Sequence, residues 1–305
     1  MMQAMTIQTR AEHRMTAPAV FSPAAWVRGP GMVAAVTTLA FLLLFLDPMR
    51  SVGAAWWNDP ESGHGLLLAP LACWLAYRSG VLAVSTPQIV SGSVMVAAGV
   101  ALRIVSALAA EAFGGRLAML MVLAGLVVAT WGARQLMAWW LSVVLLALAM
   151  PLPEIVIGSL ALPLQFEASR LGAALLETRG IPVRLDGNVI RLPGHELFVT
   201  EACSGLRSLT ALLSLGVLLG GLWLRRPAMR VVLVVLTLPI AVAINGVRVF
   251  LTGFLVLFVS PGSAEGFTHL TEGWLMFVVA FALLAVLALL LSRLERRWSP
   301  GVGRV

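Results

Sequence analysis

Residues 200–224 read TEACSGLRSLTALLSLGVLLGGLWL, a short polar stretch followed by a long apolar run. The run can enter a lipid bilayer as a helix, and a helix beginning near its start has Cys203 in its first turn. Unpaired backbone N–H groups and the helix dipole favour a thiolate there. An isolated cysteine is more often an inert buried residue. The polar neighbours Glu201, Ser204 and Arg207 favour a functional role, because polar groups are costly where a chain enters a membrane.

The composition is that of a polytopic membrane protein. Of 305 residues, 60% are hydrophobic and 11% are charged, which is unlike a soluble globular domain. All 21 basic residues are arginine, so a Ser-Lys dyad and a Schiff-base lysine are excluded. The net charge of +7 is concentrated in one set of turns, which argues against a nucleic-acid partner. No Gly-rich phosphate loop and no metal-ligand spacing is present, so neither cofactor nor metal is expected.

The two cysteines, Cys73 and Cys203, are too few for a disulfide framework. Cys73 lies about 12 Å along a predicted span from its outer end. Pairing with Cys203 would require Cα atoms within about 7 Å. Cys73 is therefore predicted to be an ordinary core residue.

The sequence predicts an all-α polytopic membrane protein with a small extracytoplasmic β-hairpin insertion. The predicted spans, eight in number, cover residues 31–46, 65–78, 89–105, 117–131, 136–150, 205–224, 231–250 and 270–292. One side of this alternation carries 12 arginines against two acids, Glu12 and Glu295. The positive-inside rule therefore places both termini in the cytoplasm. The predicted organisation is a disordered cytoplasmic tail (1–30), a single transmembrane domain (31–292) and a cytoplasmic tail (293–305).

The outward segments include a loop over 47–64 and a long stretch, 151–203, which leads to the cysteine. Within it, 154–177 mixes apolar and charged positions and predicts an interfacial or re-entrant helix. Alternating residues around Asp186-Gly187-Asn188 then indicate a β-hairpin. The predicted strands are 183–185, 189–192 and 196–200. The hairpin either takes part in substrate binding or is a simple connector.

Two further blocks bring polar groups to the outer side. Asn245-Gly246-Val247-Arg248 lies near the outward end of the seventh span, and Arg248 interrupts an apolar run. Such an arginine is either functional or a structural tie between helices, and the sequence does not decide whether 249–259 is re-entrant. His269 precedes the last span at about the same depth as Cys203. A histidine can exchange the thiol proton, and an arginine can stabilise a thiolate or oxyanion.

The block Glu-Ala-Cys-Ser-Gly-Leu-Arg at 201–207 resembles the cysteine motif of the exosortases and archaeosortases. Asn-Gly-Val-Arg resembles the family's Asn-x-x-Arg element, which places its catalytic arginine at Arg248. The histidine before the final helix corresponds to His269. An outer-loop block, Asp-Pro-Glu-Ser-Gly-His-Gly, is similar to the family's Ser-His-Gly loop, with Gly63 where serine is usual and His64 retained.

This resemblance implies a cysteine protease-transpeptidase of the inner membrane, with its site facing the periplasm. Cys203 would be the nucleophile, His269 the acid/base and Arg248 the electrostatic stabiliser. Its substrates would be secreted proteins with a PEP-CTERM-like tail, namely a short sorting motif, a transmembrane helix and an Arg-rich end. The acceptor would be linked to the envelope or to exopolysaccharide. Candidate supporting or substrate-binding residues are His64, Glu201, Ser204, Arg207 and Asn245.

Two alternatives remain open from the residues themselves. One is an intramembrane serine protease with Ser204 as nucleophile and His269 as base. The other is a transporter that binds an anionic solute at Arg248 and His269, although no repeat between the two halves supports it.

Overall fold

The computed structural model describes residues 30–59, 61–83, 86–199, 206–259 and 266–297, and it is mostly helical. Its helices are α1 (Pro30–Leu44), α2 (Leu46–Asn58), α3 (Gly65–Ser79), α4 (Ile89–Leu108), α5 (Ala112–Trp131), α6 (Ala133–Ala138), α7 (Trp140–Leu148), α8 (Glu154–Glu177), α9 (Leu206–Trp223), α10 (Pro227–Phe258) and α11 (Gly266–Arg297). Its strands are β1 (Arg184–Asp186), β2 (Val189–Leu192) and β3 (His195–Phe198).

Several of these helices can cross a membrane. Within the described residues, α4, α5, α10 and the Gly273–Arg297 part of α11 are long and apolar enough, and α1 with α2 adds a fifth if counted as one broken span. The chain is thus a multi-pass membrane protein, and the count of eight spans stays a prediction. The described residues divide into two compact units, one ending at Asp47 and the other beginning at Pro48. In the first, the rings of Phe41 and Phe45 lie 4.9 Å apart.

The structure corrects two of the predicted elements, the outer loop 47–64 and the span 136–150. The predicted outer loop 47–64 contains helix α2, which has Asp47 and Pro48 in its first turn; both residue types suit a helix start. Trp56 fixes this helix, because its Nε1 donates a 2.7 Å hydrogen bond to Ala149 O. The predicted span 136–150 consists of two helices, α6 and α7, with Trp139 between them.

Helices α9, α10 and α11 pack around one apolar core. The approach of α9 to α10 is close, since a β-carbon at Gly216 would lie 2.7 Å from Thr237 Oγ1. At the far end, the buried Glu295 carboxylate of α11 accepts hydrogen bonds from the backbone N–H groups of Arg225 and Arg226. A carboxylate suits these amides, because the N-terminus of α10 carries unpaired donors and the positive end of the dipole.

The segment before the cysteine motif folds onto α8 and α10. A helix at the predicted bounds 154–177 is confirmed, as is the hairpin, and β1, β2 and β3 form an antiparallel sheet in that order. Gly187 occupies its turn with φ +63°, a conformation that glycine adopts at low cost. Helix α10 continues unbroken to Phe258, so 249–258 is part of one long helix. Its apolar residues there pack against α8 and the sheet.

Candidate active site

Two contacts set the register of α10 against α11, the helices that carry Arg248 and His269. Arg248 lies 22 residues after Arg226 in α10, and Gly273 lies 22 residues before Glu295 in α11. Since Arg226 meets Glu295 and Arg248 meets Gly273, both contacts belong to one antiparallel register. In α9, Leu206 precedes Gly216 by ten residues, which places it level with the part of α10 that carries Arg248.

Arg248 lies between α10 and α11. Its side chain is half-buried, and its guanidinium rests against Gly273, where an added β-carbon would be 3.5 Å from Nη2. Position 269 is one turn before Gly273 in the same helix, and residues four apart share a helix face. The structure therefore brings Arg248 to the face of α11 on which His269 occurs.

Helix α8 closes the other side of this part of α10. A β-carbon at Gly246 would lie 2.6 Å from Leu171 Cβ, and one at Gly172 would lie 2.5 Å from Val249 Cγ1. Glycine at these two positions allows the backbones of α8 and α10 to approach closely. Asn245, a predicted supporting residue, is buried three residues before Arg248.

The chain that leads to Cys203 is held by Asn188, a residue of the hairpin turn. Asn188 O accepts a 2.9 Å hydrogen bond from Val199 N, and its Nδ2 donates to Val199 O at 3.1 Å. The same Nδ2 donates to Oε1 of the buried Gln165 in α8 at 3.3 Å. Val199 itself is buried in the apolar core that contains Val249, the neighbour of Arg248.

Some predicted site residues lie outside what the structure describes. Glu201, Cys203 and Ser204 fall in 200–205, which is not among the described residues. Arg207 and His269 belong to the described helices α9 and α11, and only their places in those helices are given. The shared position of Cys203, Arg248 and His269 thus stays a prediction.

His64 lies on another face of α9. It lines a cavity of about 110 Å³ together with Glu61, Thr210 and Leu213. Its Nδ1 is 3.1 Å from Glu61 O and its Nε2 is 3.2 Å from Leu148 O. Both neighbours are acceptors, and a neutral imidazole has one N–H to donate. In this arrangement His64 ties the outer loop to the end of α7.

Two residues that the sequence did not single out act at the same helix end. Trp56 donates to Ala149 O, and Arg116 donates from Nη1 to Pro151 O at 3.0 Å and from Nη2 to Ser51 Oγ at 2.8 Å. The final carbonyls of a helix lack partners within it, so these side chains satisfy the end of α7. The sequence offered one indication of this structural role, because Arg116 is an arginine near the start of an otherwise apolar helix.

The fold defines a multi-pass membrane protein in which Arg248 of α10 contacts α11 at Gly273. The chain matches the family model of the transmembrane exosortases over residues 56–286 and belongs to that family. The matched region contains all three predicted catalytic positions as well as His64. Comparisons with curated proteins and with solved structures gave no significant match.

Proposed function

We propose that this protein is a membrane-embedded cysteine protease-transpeptidase that cleaves PEP-CTERM-like C-terminal sorting tails from secreted proteins. Membership of the exosortase family supports such a role. The observation that carries the assignment of residues is the contact between the Arg248 guanidinium and Gly273, one turn from His269. The same end of the bundle holds the start of α9, three residues after Cys203.

The distance along the chain supports the participation of Cys203. Val199 is buried in the same apolar core as Val249, and four residues of extended chain span at most about 14 Å. This short tether, together with the start of α9 three residues after Cys203, supports a position of Cys203 near Arg248. The hydrogen bonds of Asn188 to Val199 fix the start of this tether.

In the proposed reaction, His269 takes the proton of the Cys203 thiol, and the thiolate attacks the carbonyl carbon of the scissile peptide bond. Arg248 donates hydrogen bonds to the oxyanion that develops. The C–N bond then breaks, and His269 returns its proton to the leaving amine. An acceptor nucleophile linked to the envelope or to exopolysaccharide attacks the thioester and releases the thiol.

We further propose eight spans, with both termini in the cytoplasm and the site at the periplasmic face of the inner membrane. The excess of arginine in one set of turns supports this orientation. A substrate tail with an Arg-rich end would keep that end in the cytoplasm by the same rule. Its short sorting motif would then emerge on the side of Cys203. Glu201, Arg207 and the buried Asn245 are the proposed supporting residues near the nucleophile.

The test compares the thiol of Cys203 with the hydroxyl of its neighbour Ser204. Cys203→Ala should abolish processing of a co-expressed substrate that carries the tripartite tail, because no thioester can form. Ser204→Ala is the matched control and should retain most of the processing. Immunoblotting separates the cleaved from the uncleaved substrate.

The other outcomes identify the alternatives. Loss of processing in Ser204→Ala with retention in Cys203→Ala would indicate a serine protease that uses His269. Full processing in both variants would contradict a proteolytic role and favour transport of an anionic solute at Arg248 and His269.

A further inference from the structure

A narrow apolar cleft lies away from the candidate active site, between α3, α5 and the α6–α7 pair. Its volume is about 140 Å³. Cys73 lines it and is exposed, which corrects the prediction of a core residue. The lining residues are Ala72, Cys73, Ala76, Leu120, Leu123, Ala124, Val127, Leu136, Trp139, Ser142, Val143 and Leu146.

One end of the cleft is fixed by a hydrogen-bonded turn. Gly80 O accepts from Gln135 Nε2 at 3.1 Å and from Trp139 Nε1 at 3.0 Å. The fully buried Gln135 also accepts from Leu82 N at 2.9 Å through its Oε1. These contacts join the C-terminal end of α3 to the start of α6. The turn is therefore a rigid boundary rather than a loose loop.

Two arginines lie beside this turn in the chain, outside the residues that line the cleft. Arg78 lies two residues before Gly80, Arg134 lies next to Gln135, and both side chains are exposed. The segments 65–83 and 112–148 contain no aspartate or glutamate, so no acid from the elements around the cleft neutralises these arginines. The end of the cleft is thus suited to an anion.

Aromatic side chains mark this level as a membrane interface. Trp74 and Tyr77 are 50% and 86% exposed, and the Arg78 guanidinium lies 5.2 Å from the Trp74 ring centroid. The rings of Trp131 and Trp139 are 5.7 Å apart. Tryptophan and tyrosine are enriched at the level of lipid headgroups.

We propose that this cleft binds an anionic phospholipid, with one acyl chain between α3, α5 and α7 and the headgroup phosphate at Arg78 and Arg134. From Leu120 to Val127 the cleft extends about 10 Å along α5, and its lining is almost entirely apolar. Basic pockets between transmembrane helices are known to bind anionic headgroups. The site is independent of the proposed catalysis.

Native mass spectrometry of the purified, delipidated full chain tests this site with two probes, phosphatidylglycerol and phosphatidylcholine with the same acyl chains. We expect one phosphatidylglycerol to be retained and phosphatidylcholine to be lost. Arg78→Gln/Arg134→Gln should weaken retention roughly thirty-fold. Arg293→Gln, which removes an exposed arginine of α11, is the matched control and should not change it.

Alkylation of Cys73 in a Cys203→Ser background gives a second readout that needs no arginine variant. Phosphatidylglycerol should slow the reaction of Cys73 with a membrane-soluble maleimide, and phosphatidylcholine should not. Equal retention of the two lipids, equal weakening by Arg293→Gln, or a Cys73 rate unaffected by phosphatidylglycerol would each overturn the proposal.

Discussion

Two regions of the molecule use arginine and histidine in different ways. At the end of α7, His64 and Arg116 direct their nitrogen atoms at carbonyl oxygens and at a serine hydroxyl. At the junction of α10 and α11, the Arg248 guanidinium lies against Gly273 of the neighbouring helix. The other predicted histidine, His269, occurs one turn from that glycine.

The difference shows that residue type and depth are not sufficient to assign a role. A side chain whose N–H groups satisfy the last carbonyls of a helix replaces missing backbone partners, so its contribution is to stability. At Gly273 the Arg248 guanidinium lies close to the backbone of α11, because no side chain stands between them. The following predictions test whether the end of α7 contributes to stability and the region around Arg248 contributes to catalysis.

The largest effect is expected for Arg248 and His269. Arg248→Lys keeps the charge but loses the planar guanidinium, which can donate two hydrogen bonds at once. The value of kcat/KM should therefore fall by on the order of 10²–10³-fold. His269→Ala should cost about 10²–10⁴-fold. Because groups that act in one step are not additive, Arg248→Ala/His269→Ala should be little worse than either single variant. Processing rates of a tailed peptide in detergent measure all three.

The rate of Cys203 alkylation against pH provides the physical readout for this pair. If Arg248 stabilises the thiolate, Arg248→Ala should shift the alkylation profile toward higher pH. An unchanged profile together with additive losses of activity would make Arg248 a structural tie between helices, the alternative left open by the sequence.

A smaller effect is expected from the glycine that Arg248 meets. The β-carbon of Gly273→Ala would lie 3.5 Å from Arg248 Nη2, an ordinary contact distance, so this variant should remain active. Gly273→Leu should displace the guanidinium and lower kcat/KM by roughly 10²-fold, as expected for a misplacement of about 1 Å. Gly158→Leu is the control, since a β-carbon there meets nothing within 4 Å. Equal activity of the two leucine variants would contradict the proposed contact.

Local features of the structure could be predicted from the sequence, whereas contacts between distant residues could not. The bounds of α8 and the turn at Gly187 follow from residue patterns within a few positions. Helix α2 was missed because it is short and partly polar, and it is held by a bond from Trp56 to Ala149, 93 residues away. The continuation of α10 beyond Arg248 likewise depends on Phe250 and Phe254 packing against α8 and the sheet.

The candidate site shows the same limit. The depths of Cys203, Arg248 and His269 were inferred by counting residues along each helix, and they stay predictions. The contact of Arg248 with Gly273 could not, because no local pattern relates positions on two different helices. Asn188 was predicted as a turn residue, and its hydrogen bonds to Val199 and Gln165 depend on how the sheet packs against α8.

The smallest loss of activity is expected for His64. A variant of this residue gives the most direct test of whether the end of α7 differs in role from the region around Arg248. His64→Ala removes a bond to the end of α7, so the free energy of unfolding should fall by about 1–2 kcal/mol. Activity should fall at most about tenfold, since both ring nitrogens face carbonyl acceptors and His269 is the proposed base for the thiol. The pH dependence of kcat/KM should keep its shape.

Thermal unfolding in detergent and the pH profile measure these effects, with His195→Ala in β3 as the matched histidine control. A loss as large as that of His269→Ala, or an altered pH profile, would mean that His64 takes part in proton transfer.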